Sequence, residues 1–290
     1  MNTDWSTYVQ GVGTLHLSRS LRFSDMFREK YREAFALKKP ESILEIGCGT
    51  GALATALQRW YPDASITGID RDTAFIEFAQ KQAPGITFQE ADAAKPPFES
   101  ERFDVTISNT VAEHIAPKAF FGEQYRMLRP GGVCIVLSAR RGITVPAPCV
   151  AKESDFEKEI WQRVGDRYAE MEKRVGVCQF PMSEREYPLC MEQYGFRNVS
   201  TEYITINLTP DDPVYSPEMG RAMINAAHQT RLDAINSLKA IAPDLVSHEE
   251  RVEMRRLINQ KYNKRMSLYD AGIKQWDTTV SLTMVMRGTK

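Results

Sequence analysis

The sequence predicts an α/β fold: a mostly parallel sheet wound with helices and capped by helical insertions. Three observations carry this. Between 38 and 139, short apolar runs alternate with stretches at helical spacing. A glycine-rich turn, Gly47-Cys48-Gly49-Thr50-Gly51, follows directly on the first of those runs. In the second half, three amphipathic helices with their own N-cap signals interrupt two β-rich segments.

Taken in order, the predicted strands are 42–46 (SILEI), 65–69 (SITGI), 86–89 (ITFQ), 103–108 (FDVTIS) and 133–138 (VCIVLS). Helices fall near 50–60, 72–82 and 117–128, the second capped by Asp72. Ser154-Asp155-Phe156-Glu157 is a capping box, followed by Phe156, Ile160, Val164, Tyr168, Met171 and Val175 along one helix face. Ser216-Pro217 opens a further helix, and Ser247-His248-Glu249-Glu250 caps another that runs to Ala271-Gly272. The segments 198–209 and 276–288 alternate and read as a final antiparallel pair. The turn-rich patches near 146 and over 208–217 mark the edges of the insertions. The expected division is therefore an N-terminal helical lid at 1–37, a core at 38–139, a cap insertion at 140–182, a core helix and strand at 183–210, a helical cap insertion at 211–275, and the last core strand at 276–290.

Composition narrows the function. The 290 residues carry a net charge of −1, so no basic surplus favours nucleic acid or an acidic membrane. Five scattered cysteines without a CxxC pair read as reduced thiols, which points to the cytoplasm. No basic n-region precedes an apolar run at the N-terminus, and no window approaches the ~18 apolar residues of a membrane span. A soluble, unprocessed chain is expected, with its oligomeric state open.

As a bare pattern, the glycine turn also fits a dinucleotide fingerprint, with Asp70 positioned as a ribose-binding acid. Glu45, two residues before the first glycine, argues otherwise: a carboxylate there repels a pyrophosphate and favours a cationic ligand. With that acid, E-I-G-C-G-T-G resembles the first motif of class I S-adenosylmethionine-dependent methyltransferases. GIDRDTAFIEFA (68–79), EADAAKPPF (90–98), FDVTISN (103–109) and MLRPGG (127–132) resemble the later motifs in order and spacing. They are closest to the small-molecule branch that includes quinone-biosynthesis enzymes. The resemblance implies a Rossmann-like seven-stranded, mostly parallel sheet with an antiparallel last strand. It also implies S-adenosyl-L-methionine as cofactor and S-adenosyl-L-homocysteine as product. On this reading Gly47, Gly49 and Gly51 approach the methionine moiety, Glu45 steers its ammonium, and Asp70 holds the ribose hydroxyls. Arg71 and Phe75 flank the adenine, Asp92 and the Ala93 backbone meet its edge, and Asn109 closes the methionine side.

Methyl transfer is an in-line displacement at an activated sulfonium, so alignment and exclusion of water supply much of the acceleration. His114, just after the fourth strand, is the candidate to deprotonate or orient a small, partly apolar acceptor. As a general base it would make the rate fall through the histidine range near ~6.5. Some relatives hold a metal with E-x-x-E-H here, but Thr110 replaces the first acid, so no metal is expected. Tyr8, Arg19, Trp161 and Tyr168 are candidates to line the substrate side or lid, their alternative being helix packing. The run from Arg251 to Arg265 is interleaved with acids and reads as a solvated face rather than an RNA platform. An RNA or protein methyltransferase and a non-methylating S-adenosylmethionine binder are the competing functions.

Overall fold

The computed structural model describes residues 4–290; residues 1–3 of the expected lid lie outside the described residues. Strands β1 (Ser42–Ile46), β2 (Ser65–Asp70), β3 (Thr87–Glu90), β4 (Phe103–Asn109), β5 (Leu128–Val145), β6 (Arg197–Leu208) and β7 (Thr278–Thr289) form one sheet. Its order is β3-β2-β1-β4-β5-β7-β6, and β7 runs antiparallel to both its neighbours while the other pairings are parallel.

Among the described residues ten α-helices accompany the sheet: α1 (Val12–Arg22), α2 (Arg28–Phe35), α3 (Ala52–Trp60), α4 (Thr73–Gln82), α5 (Pro117–Met127), α6 (Pro148–Ala151), α7 (Asp155–Val175), α8 (Glu186–Gln193), α9 (Pro217–Ile241) and α10 (His248–Asp270). The capping boxes at Ser154 and Ser247 form, Ser216 caps α9, and Asp72 caps α4 by accepting from the N–H groups of Ala74 and Phe75. These side chains satisfy donors that a helix start otherwise leaves bare.

Alternation along the strands splits the core in two. Ile43, Ile135, Leu137 and Val285 face one side with Phe35 and Leu57 of α2 and α3. Leu44, Ile46, Val136, Met284 and Met286 face the other with Phe120 and Met191 of α5 and α8. The cap has its own apolar centre, in which Ile160 and Val164 of α7 meet Ile235 and Leu238 of α9 and Met254 and Ile258 of α10.

Two expectations need correction. The fifth strand, predicted as 133–138, runs from Leu128 to Val145, crossing an irregularity at Ala139/Arg141 and pairing Val145 with Thr278. Arg140-Arg141-Gly142 interrupts the apolar run, but ladder hydrogen bonds to β7 carry the strand through it, leaving Ile143 exposed. The basic face of α10 is not wholly solvated. Arg256 pairs with Glu253 at the surface, whereas Arg265 is 2% exposed and bonded to Asp211 and Asp277.

Two helical glycines make the packing testable. A methyl on Gly220 of α9 would meet the Tyr269 hydroxyl and lie 2.8 Å from the carbonyl oxygen of Pro210, whereas nothing lies within 4 Å of one on exposed Gly165 of α7. Alanine ordinarily stabilises a helix interior by about 0.5–1 kcal/mol over glycine. Gly165→Ala should therefore raise stability by about that amount, and Gly220→Ala should lower it by ~1–3 kcal/mol through overpacking. Urea melts of the two variants should move in opposite directions; a shared sign would refute the close α9 packing.

Candidate functional site

The site lies where strand order reverses, beyond the carboxyl ends of β1, β2 and β4, the place where open parallel sheets leave a crevice. The loop from Gly47 to Gly51 crosses it with positive φ at all three glycines, +66°, +52° and +75°. A side chain is costly in that region, and here space is short as well. A Cβ on Gly47 would overlap Val111, and one on Gly51 would lie 2.7 Å from the Phe88 ring. Gly51 thus serves helix–sheet packing and does not line the cavity.

Asp70, at the end of β2, clips this loop in place. Its Oδ2 accepts the Gly49 N–H at 2.8 Å and its Oδ1 accepts the Asp72 N–H at 2.9 Å. Asp72 in turn accepts the Ser6 N–H at 2.8 Å, drawing the N-terminal segment over the cavity. That segment is latched again where the Gly11 N–H donates to Asp233 of α9, at 3.0 Å.

The resulting cavity, about 170 Å³, brings together Glu45, Gly47, Gly49, Asp70, Arg71, Phe75, Asp92, Ala93, Asn109, His114 and Arg19. Trp5, Gln10, Leu15, Thr50, Thr110 and Val111 complete much of the lining and were not legible in the sequence. Most come from the covering N-terminal segment or the turn after β4, whose approach depends on tertiary contacts. One signal was local: Thr110 sits at φ +56°, a costly conformation for a β-branched residue. Its N–H donates to the Leu137 carbonyl, and its hydroxyl donates to the Asn109 carbonyl and accepts from Arg19.

Tyr8, Trp161 and Tyr168 lie outside this lining. The Tyr8 ring is covered by Arg174, and Trp161 packs in the cap centre. Tyr168 reaches across from α7, its hydroxyl donating to the Ala234 carbonyl of α9 at 2.9 Å. Asp92 accepts the Ala94 N–H within its own turn.

Electrostatically the floor is acidic and poorly compensated. Glu45 is 2% exposed, its Oε2 has no hydrogen-bond partner, and burial raises its pKa well above the ordinary carboxylate range, with Asp70 adding to the rise. Desolvation likewise pushes Asp70 up, against the two N–H groups it accepts. Arg19 is brought down to about 10 by burial and by Arg22. The His114 ring packs edge-on to Trp5 at 4.7 Å, and its Nδ1 accepts the Cys178 N–H at 2.9 Å. Burial, then the charge of Arg71, lowers His114 to about 4. That is below the range near ~6.5 in which a histidine acting as general base was expected to titrate.

The methyltransferase domain family matches residues 44–136. A phthiotriol/phenolphthiotriol dimycocerosates methyltransferase of Mycobacterium leprae is 36% identical over 149 residues, 50% of this chain and 53% of that protein. A fatty-acid O-methyltransferase of Mycolicibacterium smegmatis is 34% identical over 108 residues, 36% of this chain and 39% of its own length. The chain thus spans at most about half the length of these curated relatives. Among solved structures, a Haemonchus contortus phosphoethanolamine N-methyltransferase 2 in complex with S-adenosyl-L-methionine shares the fold. Its TM-score is 0.54 at 14% identity, covering 99% of this chain and 59% of that one. Residues 44–136 therefore match the methyltransferase domain family, and the chain shares the fold of a solved methyltransferase.

Proposed function

We propose that this chain is an S-adenosylmethionine-dependent methyltransferase acting on a small, partly apolar acceptor and leaving S-adenosylhomocysteine. The observation that carries the reading is a pair of acids, buried Glu45 and half-buried Asp70, bracketing a loop that lines the cavity with the bare backbone of Gly47 and Gly49. Glu45 in particular is a buried carboxylate with an oxygen that no protein group satisfies, and such a group is costly unless a cation meets it. In this reading Glu45, Gly47, Gly49 and Asn109 hold the methionine part. Asp70 holds the ribose diol, Arg71 and Phe75 flank the adenine, and Asp92 with the Ala93 backbone meets its edge.

When bound, S-adenosylmethionine supplies a methyl group activated by a sulfonium. An acceptor lone pair would take that carbon as the carbon–sulfur bond breaks, the bond's electron pair would neutralise the sulfur, and any proton on the acceptor atom would pass to solvent. The protein's part is orientation and exclusion of water, for which the segment held by Asp72 and Asp233 is placed. His114 contributes as a hydrogen-bond donor. Its Nδ1 is committed to the Cys178 N–H, so the neutral ring carries its proton on Nε2 and has no free lone pair to act as a base.

The remaining features of the reading are consistent with it. Five free cysteines, two of them buried, support a cytoplasmic setting, and no helix among the described residues is long and apolar enough to cross a membrane. Lys261 and Arg265 of the basic run are engaged by Glu157, Asp211 and Asp277, which disfavours a nucleic-acid groove there.

Three outcomes test this reading. Asp70→Ala should weaken S-adenosylhomocysteine binding by ~1–3 kcal/mol in calorimetry, because both the ribose acceptor and the loop clip are lost; an unchanged affinity removes Asp70 from the site. Glu45 holds its proton above the usual carboxylate range in the free protein, and an ammonium favours its ionised form. Binding should therefore release a proton and tighten as pH rises, and titrations in buffers of different ionisation enthalpy should show less release in Glu45→Gln. Finally, with His114 neutral above about 4, the rate at saturating S-adenosylmethionine should stay flat from pH ~8 to ~5 and fall only as the ring becomes charged. His114→Ala should slow turnover without changing cofactor affinity, and a wild-type inflection near 6.5 would restore the general-base role.

A further inference from the structure

A second cavity, about 340 Å³, lies on the other side of α1. It is enclosed by α1, the extended end of β5 with its following turn, α9, α10 and the start of β7. Helix α1 is the shared wall: Leu15 and Arg19 face the first cavity, while Ser18, Leu21 and Arg22 face the second. The volume falls within the range that holds a small organic ligand.

Its lining combines two chemistries. Leu21, Val150, Met223, Ile224 and Ile258 make it apolar, and His228 stacked on Tyr262 at 4.0 Å adds a flat wall. Against these stand four cations, Arg22, Arg231, Lys261 and Arg265, and one lining carboxylate, Asp277. Lys261 is neutralised from behind by Glu157. Arg265 is held through Nε and Nη2 by Asp277 and Asp211, yet its Nη1 is buried with no partner, although the residue is only 2% exposed. Arg22 donates to Ser18 alone, and no carboxylate among the described residues pairs with Arg22 or Arg231. Arg265 Nη1 is a buried donor without a partner, which is costly, and half-buried Arg22 and Arg231 stand beside it; a carboxylate or phosphate satisfies such guanidinium N–H groups in a forked geometry.

We propose that this second cavity is a binding site for an amphiphilic anion, an apolar body bearing a carboxylate or phosphate head that meets Arg231, Arg22 and Arg265 Nη1. Charge complementarity selects the head, and the Leu21–Met223–Ile258 wall selects the body. The site is separate from the one assigned to the cofactor and does not rest on the methyl-transfer reading.

Calorimetric titration of the full chain with decanoate, decyl phosphate and decanol tests it, with and without saturating S-adenosylhomocysteine. The anions should bind at least ~10-fold more tightly than decanol, with or without S-adenosylhomocysteine, and their ranking identifies the head group. Arg231→Gln should weaken the anions by about 10-fold and leave decanol unchanged. Ala227→Trp, which fills the cavity from an exposed position on α9, should abolish binding of all three while S-adenosylhomocysteine affinity stays within twofold. Equal affinity for decanol and decanoate, loss of binding on adding S-adenosylhomocysteine, or unchanged binding in Ala227→Trp would each overturn the proposal. A protein that fails to bind S-adenosylhomocysteine but binds decanoate would sink the cofactor reading and leave this one standing.

Discussion

The two hydrogen bonds accepted by Asp70 are the constraint on which the site depends. One oxygen holds the glycine loop after β1 and the other holds the turn into α4, so a single carboxylate sets the spacing of two strand ends. Asp72 extends the same linkage outward, capping α4 with one oxygen and taking the Ser6 N–H with the other. The cavity floor and its cover are thus tied through two acids that are adjacent but for Arg71. Concentrating negative charge in this way raises the cost of the free state, since Glu45 and Asp70 are both pushed towards their neutral forms. A cationic ligand would remove that cost, so the loop geometry and the proposed preference for positive charge have one origin.

Arg71 links this floor to the cap. Its guanidinium lies over the Trp5 ring at 5.5 Å and donates to the Val175 carbonyl at the end of α7, while its charge helps keep His114 neutral. The Cys178 N–H, three residues beyond that carbonyl, closes the circuit at His114 Nδ1. The protonation state of the histidine therefore depends on two covering elements, the N-terminal segment that lays Trp5 against its ring and the cap that supplies its Nδ1 partner.

How much was legible in the sequence follows from the range of the interactions. The first four strands and the helix caps at Asp72, Ser154, Ser216 and Ser247 depend on neighbours within a few residues, and local patterns were enough to find them, whereas the extension of β5 to Val145 depends on its pairing with β7. The covering residues Trp5, Gln10 and Leu15 reach the cavity only through long-range latches such as Gly11 to Asp233, which no local pattern encodes. Trp161 and Tyr168 show the converse: aromatic residues at helical spacing suit a lid and a helix interface equally, and Tyr168 has its hydroxyl on α9. Arg265 read as surface because its partners Asp211 and Asp277 are 54 and 12 residues away, and only the closing of the sheet brings them to it.

The position of β7 bears on how the molecule is assembled. It follows α10 in the chain yet lies between β5 and β6, so until β7 arrives β6 has no neighbour in the sheet and β5 has only β4. During synthesis on the ribosome, both would present raw backbone edges while α9 and α10 are still being made, the state most open to pairing with another chain. Sheet closure is thus a late, non-local event with a correspondingly slow step. Because Thr144 and Val145 of β5 and Thr278 and Thr279 of β7 also rim the second cavity, that enclosure comes into being only when the sheet is complete.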